Sequence, residues 1–383
     1  MEITTWYSSH FEHQLKGRYI TLEHIFPLLE KYKSLYSVEV VGTSEMGHDI
    51  SMLKVGSGNK IVLAWSQMHG NEATTTKAIF DFLKFLSQKQ HFITEIEQFL
   101  ETFTIYILPL LNPDGAQRYT RENANSVDLN RDAHKLTQRE SKILHAVFKK
   151  VAPELCLNLH DQRTIYGLDT GLPATISFLA PAADKERRIT PSRKIAMEAI
   201  VRMYHSLQHH IPGQVGRYDD TFNVNCVGDT FQKAGVPTIL FEAGHYRGDY
   251  MREKSREFIF YAFLELFEIF DNKSESINYM HYFEIPENKV NYKDIILRNV
   301  RYNNSDSPSA IAIQFSEILV ENTVEFQPHI DAVGDLDNFI GHFEIDGEGA
   351  SVLVNSQENV FVGDKVLDIV NKMDDSVVYF PNK

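Results

Sequence analysis

The sequence predicts an α/β fold, in which a mixed and largely buried sheet is flanked by helices, followed by a small all-β domain. Continuous apolar runs such as "KIVLAW" and "FTIYILPLL" are typical of strands in a buried sheet. Segments with helical periodicity lie between these runs, which is the alternation expected of an α/β domain. Near residue 271 the pattern changes to short β-branched runs separated by turn residues, and these predict the β domain.

The first half of the α/β domain begins with the β-rich runs "YSVEVVG" and "DISMLKVG", which the turn "TSEMGH" joins as a predicted hairpin. "KIVLAW" predicts the next strand. The segment "EATTTKAIFDFLKFLSQ" places apolar residues at 79, 80, 82, 83 and 86, which is one face of a helix. "FTIYILPLL" predicts another strand, and a helix is expected over 137–151, with Thr137 as N-cap and Glu140 completing a capping box.

In the second half, "ELCLNLH" and "VPTILFEAG" predict strands, and helices are expected around 183–209 and 248–270. The polar run "DNKSES" is typical of a linker, so we expect an α/β domain over 1–272 and an acidic, β-rich domain over 273–383. The strand candidates of the second domain are "DIILRNVRY", "SAIAIQF", "TVEFQ", "ASVLVN" and "NVFVGDKVLDIV".

The composition is that of an ordinary soluble globular protein, with 43% hydrophobic and 23% charged residues. No apolar run approaches the ~20 residues that span a bilayer. The N-terminus has neither the basic nor the apolar region of a secretory signal, so a cytoplasmic localisation is expected. Two cysteines form neither a disulfide framework nor a cysteine-based zinc module, and we expect Cys156 and Cys226 to be buried, reduced thiols.

The negative charge is concentrated at the C-terminus, where residues 281–383 hold 18 acidic and seven basic side chains. Such a surface repels phosphate backbones, which argues against nucleic acid as a partner of this half. A solvated acidic face that keeps the protein soluble is the simplest interpretation.

Four polar clusters follow predicted strands: "QMHGNE", "LNPDGAQRYTRENANSVDLNRD", "LNLHDQ" and "FEAGHY". Ligands bind at the carboxyl ends of the strands in open α/β sheets, so these clusters predict a single site. His69, Glu72 and His160 would form a three-ligand catalytic zinc set that leaves the fourth position for water. Glu242, at a strand end, is the candidate base for that water. Taken singly, the same side chains are equally well explained as loop residues, a core histidine and a helix cap.

Together the motifs resemble those of the zinc metallocarboxypeptidases of the carboxypeptidase A type. The resemblance rests on HxxE at 69–72, NPDG at 112–115, Arg121, DLNR at 128–131, a later His160 and Glu242, over about 69–245. The wording "HGNE" and "DLNRD" is closest to the cytosolic and carboxypeptidase-D-like branches. The NPDG run is also an ordinary tight turn, and we take that as its own role.

The resemblance implies a zinc carboxypeptidase-like fold, one Zn²⁺ per chain, and a catalytic domain over 1–272 with an accessory domain after it. It implies that Arg121 stabilises the oxyanion, and that Asn130 and Arg131 grip the terminal carboxylate. Glu242 would be the general base and then the acid. Asp128 would accept a hydrogen bond from the ring of His69. Alternatively, the two arginines are surface ion-pair partners.

Two positions depart from the family pattern. Tyr218, in "GRYDDTFNVNC", is the nearest candidate for the tyrosine that closes over the substrate, although its spacing does not fit cleanly. The residue that sets side-chain preference does not align, and Arg217, Asp219 and Asp220 are the charged candidates.

The resemblance implies a zinc-dependent hydrolase that releases a C-terminal residue from a peptide through a zinc-bound water. The implied partner is a peptide or acyl-amino-acid substrate with a free carboxylate, without a nucleic-acid or membrane partner; no oligomeric state is predicted. A deacylase resembling aspartoacylase and succinylglutamate desuccinylase is the alternative, but NPDG and the length of the 160–242 segment favour the peptidase. A non-catalytic binder of peptide termini is less favoured, because none of the expected site residues is missing.

Overall fold

The structure is a computed structural model that describes residues 1–270 and 277–380. The helices of the described residues are α1 (Ile3–His10), α2 (Leu22–Tyr32), α3 (Thr74–Ser87), α4 (Ile93–Thr102), α5 (Pro113–Arg118), α6 (Arg139–Val151), α7 (Pro191–Leu207), α8 (Val227–Lys233) and α9 (Glu253–Leu266). Two short 3₁₀ helices cover Leu129–Arg131 and Tyr279–Glu284. None of the helices in these two ranges is long and apolar enough to cross a lipid bilayer.

Strands of the first 288 residues are β1 (Ser37–Thr43), β2 (Asp49–Val55), β3 (Lys60–Ser66), β4 (Phe103–Leu108), β5 (Leu155–Asp161), β6 (Tyr166–Gly167), β7 (Ile176–Leu179), β8 (Val215–Arg217) and β9 (Thr238–Ala243). The later strands are β10 (Lys289–Val290), β11 (Tyr292–Val300), β12 (Ser309–Val320), β13 (Thr323–Gly334), β14 (Ile340–Asp346), β15 (Val352–Val354), β16 (Ile369–Asn371) and β17 (Val377–Tyr379).

The largest sheet is mixed, as the sequence predicts. Among the described residues its eight strands have the order β1-β2-β4-β3-β5-β9-β7-β8. The neighbours β4, β3, β5 and β9 run parallel to one another, whereas β1–β2, β2–β4 and β7–β9 are antiparallel pairs. Because β3, β5 and β9 are adjacent and parallel, their carboxyl ends meet at one edge of the sheet.

Helices cover both faces of this sheet, which explains the continuous apolar runs of its central strands. One core contains Phe80 of α3 and Phe263 of α9 together with alternate residues of the strands. The core of the opposite face contains Trp65 of β3, whose ring centroid lies 5.4 Å from that of Phe231 in α8. These two cores hold the site-bearing strand ends in a fixed register.

The predicted hairpin is confirmed as the antiparallel pair β1–β2, and the predicted strands and helices from β3 to α9 are present with shifted ends. The predicted capping box is wrong. Helix α6 begins at Arg139, and Gln138 is its N-cap. The Thr137 hydroxyl instead donates to Asp132 Oδ1 at 2.8 Å, and the Glu140 carboxylate accepts from the Glu45 amide at 3.0 Å. The nearby carboxylate of Asp132 competes successfully for the cap residue.

The NPDG run is a helix start rather than an ordinary tight turn. Asn112 is the N-cap of α5, and its Oδ1 accepts a hydrogen bond from the Gly115 amide at 2.8 Å. Pro113 occupies the first helical position, where its missing N–H is not needed. A Cβ atom built on Gly70 would lie 2.0 Å from the carbonyl carbon of Gly115, so the turn after β3 packs closely against the start of α5 at this pair of glycines.

A buried ion pair joins α3 to α9. Arg256 Nη2 lies 2.6 Å from Asp81 Oδ1, and both side chains are fully buried. Asp81 also accepts hydrogen bonds from the Tyr7 hydroxyl at 3.0 Å and from the Glu12 amide at 2.7 Å. The pair therefore fixes the N-terminal segment onto the two helices that cover the sheet.

Replacing Asp81 by asparagine is expected to lower the free energy of unfolding by about 3 kcal/mol, because the buried Arg256 charge then keeps only the partly exposed Glu253 carboxylate as its partner. Urea denaturation followed by circular dichroism measures this change. The matched control is Lys254→Ala, which removes an exposed ion pair with Glu257 in the same helix and should change stability by about 0–1 kcal/mol. An Asp81→Asn effect no larger than the control would contradict the structural role of the pair.

The described chain divides into two compact units. One comprises 1–162 and 174–288, and the other comprises 163–173 and 289–383. In the second unit the described strands form sheets of order β13-β12-β11-β14 and β15-β16-β17, together with the pair β10–β6. The "DNKSES" linker covers residues 271–276, outside the described residues, so the division at 272/273 stays a prediction. Strand β14 was not predicted, and only the last two residues of "NVFVGDKVLDIV", 369–370, lie in a strand, β16.

The second unit includes a segment, residues 163–173, that follows β5 directly. The backbone oxygen of Thr164 lies 2.8 Å from His342 Nε2, and the Thr164 hydroxyl accepts from Gln314 Nε2 at 2.7 Å. The Tyr292 hydroxyl donates to the Gly171 oxygen at 2.7 Å. The second unit is thus built from two separate parts of the chain.

Candidate functional site

The parallel strands β3, β5 and β9 bring three polar clusters to one edge of the sheet. His69 and Glu72 lie in the turn between β3 and α3, and His160 belongs to the end of β5. The register of β5 and β9 pairs His160 with Glu242. Because residues paired in register share a face of the sheet, these two side chains project side by side.

The structure brings the three predicted metal ligands together. The Nδ1 atom of His69 lies 2.9 Å from Glu72 Oε1, and the Nδ1 atom of His160 lies 2.8 Å from Glu72 Oε2. The two Nδ1 atoms are 3.0 Å apart. The three potential ligand atoms all lie within 4.8 Å of one another.

This arrangement fits a zinc ion. Two imidazole nitrogens and a carboxylate oxygen, all on nearly buried side chains, lie within 4.8 Å of one another. Electron-pair donors so close together repel unless a proton or a cation lies between them, and a His₂Glu set is one that catalytic zinc uses. His69, Glu72 and His160 are therefore the residues that would hold one zinc ion.

The pKa values of the three side chains are shifted by burial and by their short distances to one another. Burial raises the pKa of Glu72, but the charge of His69 and the hydrogen bond from His160 outweigh burial and hold it below its usual value. Burial lowers the pKa of His69, yet the Glu72 carboxylate raises it above normal overall. For His160, burial prevails and the pKa is lowered. The two histidines thus differ in their affinity for protons.

Asp128 and Arg121 adjoin the ligand cluster. Asp128 Oδ1 lies 3.0 Å from His69 Nε2, which is the contact that the resemblance implies. Arg121 donates through Nε to Asp128 Oδ2 at 3.1 Å and through Nη1 to Glu72 Oε1 at 3.2 Å. The guanidinium is partly exposed.

Asn130 and Arg131 lie beside the start of α8. The Asn130 Oδ1 atom accepts a hydrogen bond from the Val227 amide at 3.0 Å, which leaves the side-chain NH₂ as its donor group. The exposed Arg131 side chain donates to the backbone oxygen of Asn130 at 2.8 Å and contacts Cys226 Sγ at 3.2 Å. Both thiols are free, as predicted, but only Cys156 is buried, and Cys226 is half-buried.

Glu242 is half-buried at the end of β9. Its Oε2 atom is enclosed and has no hydrogen-bond partner among the described residues. Burial, reinforced by the negative charge of Glu72, raises the pKa of Glu242 well above its usual value. A carboxylate in this setting has a strong tendency to take up a proton, which is the property required of a general base.

The charged residues next to Tyr218 form ion pairs or hydrogen bonds with residues outside the ligand cluster. Arg217 pairs with Glu287 at 2.7 Å, and Asp220 pairs with Arg187 at 2.9 Å. Asp219 accepts from the Thr221 amide at 3.1 Å. Tyr218 is half-buried, and its backbone amide donates to the Phe178 oxygen at 3.0 Å. Its predicted role over the substrate stays a prediction.

Two contacts to the ligands were missed by sequence reasoning. Asn158 Oδ1 lies 2.8 Å from His160 Nε2, and the Asp161 amide donates to Glu72 Oε2 at 3.1 Å. The spacing in "LNLH" could have identified the first, because residues i and i+2 of a strand share a face. Nothing in the sequence identifies the second, since it depends on how the loop after β3 folds over β5.

Comparisons with known proteins give a consistent result. The model of the zinc carboxypeptidase family matches residues 22–150. Carboxypeptidase 2 of Trichophyton rubrum is 30% identical over 99 residues, or 25% of this chain and 18% of that protein. Carboxypeptidase M of Mus musculus is 26% identical over 187 residues, or 42% of this chain and 41% of that protein. The crystal structure of a metallo-carboxypeptidase from Burkholderia cenocepacia matches with a TM-score of 0.51 at 15% identity, covering 65% and 70% of the two chains.

The structural match confirms the predicted carboxypeptidase-like fold, and at 15% identity it shows the fold alone. The chain spans only 18% and 41% of the length of the two relatives. The matched range 22–150 contains His69, Glu72 and Arg121 but ends before His160 and Glu242. His160 and Glu242 therefore lie outside the matched range, and the pairing of β5 with β9 places them side by side.

Proposed function

We propose that the chain, whose residues 22–150 match the model of the zinc carboxypeptidase family, is a metallocarboxypeptidase that releases the C-terminal residue of a peptide. The observation that carries the proposal is the convergence of His69, Glu72 and His160 within 4.8 Å at the strand edge that also bears Glu242. A family resemblance alone would not specify an intact site.

In the proposed mechanism Glu242 moves the proton. Zinc, when bound by His69, Glu72 and His160, supplies a Lewis acid that polarises the substrate carbonyl and makes water acidic enough to attack near neutral pH. The Glu242 carboxylate accepts the proton from water and then delivers it to the leaving amine. Its enclosed Oε2 atom has no competing hydrogen-bond partner among the described residues, so the carboxylate is available for both transfers.

Arginine side chains would bind the two charged groups of the substrate. The guanidinium of Arg121, held by Asp128 and Glu72, would face the oxygen that becomes negative in the transition state. Arg131, with the amide donor of Asn130, would bind the terminal carboxylate, since a planar guanidinium can make two parallel hydrogen bonds to it. This carboxylate contact restricts cleavage to chain ends.

Replacing Arg131 by alanine is expected to raise KM about 10- to 100-fold for peptides with a free C-terminus, because a charge-assisted hydrogen bond contributes about 1.5–3 kcal/mol. Steady-state kinetics, together with competition by C-terminally amidated analogues, measures the effect. The control is Arg188→Ala, an exposed arginine paired with Asp184, which should leave KM unchanged. Equal losses of affinity for free and amidated peptides would argue against a carboxylate contact.

The experiment that tests the proposed function compares two substrate classes. Purified protein loaded with zinc is incubated with short peptides and, separately, with N-acyl amino acids, and released amino acids are quantified. Release of C-terminal residues supports the peptidase. Exclusive cleavage of N-acyl amino acids would favour the deacylase alternative. The cytoplasmic localisation, the branch within the family and the predicted lack of nucleic-acid and membrane partners stay predictions.

A further inference from the structure

His160 contacts a side chain to which the proposed mechanism gives no role. Its Nε2 atom lies 2.8 Å from the Oδ1 atom of Asn158. The two residues occupy positions i and i+2 of β5, so both side chains project from the same face. Asn158 is 2% exposed, which keeps water from taking its place readily.

The chemistry of the ring determines which way this hydrogen bond runs. The Nδ1 atom of His160 faces His69 and Glu72, so Nδ1 is the nitrogen whose lone pair a metal would use. The proton of the neutral ring then resides on Nε2, which must donate, and the Asn158 oxygen accepts. The Asn158 Nδ2 atom lies 3.9 Å from the position that a Cβ on Gly228 would occupy.

We propose that Asn158 is a positioning residue that holds His160 in the metal-binding tautomer and orientation. The inference rests on the proposed zinc function and adds to it. His69 has a corresponding partner in Asp128, so one imidazole is oriented by a carboxylate and the other by a neutral amide. Groups that orient a ligating histidine contribute to metal affinity although they never touch the metal.

The test is zinc affinity, measured by competition with a chromophoric chelator on the full-length protein. Asn158→Leu removes the acceptor and should weaken zinc binding about 10- to 100-fold. Asn158→Asp keeps an acceptor at the same place and should stay within about threefold of the parent. Cys156→Ala is the matched control, since Cys156 is a buried residue on the same face of β5; its zinc affinity should equal that of the parent.

A second readout does not depend on affinity. In the zinc-loaded parent, ¹⁵N NMR of the imidazole rings should show a slowly exchanging Nε2–H for His160. This resonance should persist in Asn158→Asp and exchange rapidly in Asn158→Leu. Circular dichroism establishes that each variant is folded before zinc is added.

Two results would overturn the inference while leaving the proposed function intact: parent-like zinc affinity in Asn158→Leu, or an equal loss in the leucine and aspartate variants, which would indicate packing alone. A parent protein that binds no zinc would overturn the proposed function, and this inference with it.

Discussion

Glu242→Gln is expected to lower kcat by about 10²- to 10⁴-fold, which is the usual contribution of a general acid–base residue. Glutamine has nearly the same shape but cannot accept the proton of the attacking water. Zinc content should be unchanged, because Glu242 is not among the three ligands. Steady-state kinetics and metal analysis on the same preparation measure both quantities.

The stability of this variant separates a chemical effect from misfolding. Burial raises the pKa of Glu242, so the charged form of this side chain is less favourable in the folded protein than in the unfolded chain. Glutamine removes that charge, and the free energy of unfolding should therefore stay the same or increase. Glu101→Gln, at an exposed position of α4, is the control and should keep full activity. Full activity in Glu242→Gln would show that the base lies elsewhere.

Removal of zinc is expected to abolish hydrolysis, and added zinc should restore it. The three ligand side chains carry no electrophile of their own, so without the ion the substrate carbonyl is polarised only by Arg121. Dialysis against a chelator, followed by addition of zinc and assay at each step, tests this expectation. Magnesium is the control, because it prefers oxygen ligands and should not restore activity at a site with two imidazoles.

Zinc should also raise the melting temperature of the metal-free protein, because a ligand that binds only the folded state stabilises it. The increase should depend on zinc concentration and disappear when His160 is replaced by alanine. Hydrolysis that survives exhaustive chelation would refute the metal assignment.

Much of the α/β unit could be predicted because its central strands are buried on both faces and read as continuous apolar runs. Other elements gave weaker patterns. Helix α2 contains Pro27, a residue that normally breaks helical periodicity, and β7 has only four residues within a loop rich in glycine, threonine and proline. The capping box at Thr137 failed because local sequence does not reveal that Asp132 would bind the same hydroxyl.

The candidate site was predictable where a residue lies at the carboxyl end of a parallel strand or in the turn after it, since topology alone gathers such residues at one edge. This applies to His69, Glu72, His160 and Glu242. Contacts between loops were not predictable: Arg131 and Cys226 meet although they are 95 positions apart in the chain. Such pairs depend on the packing of irregular segments, which carry no periodic pattern.

The partnership of residues 163–173 with the C-terminal strands constrains biosynthesis. Thr164 and His342 are separated by 178 positions, so at ribosomal speeds of about 5–20 residues per second the earlier residue waits roughly 10–35 s for its partner. Throughout that interval the segment 163–173 lacks the C-terminal strands with which it forms hydrogen bonds in the folded protein. Synthesis must therefore pass residue 342, well beyond the first 288 residues, before the segment 163–173 can make this contact.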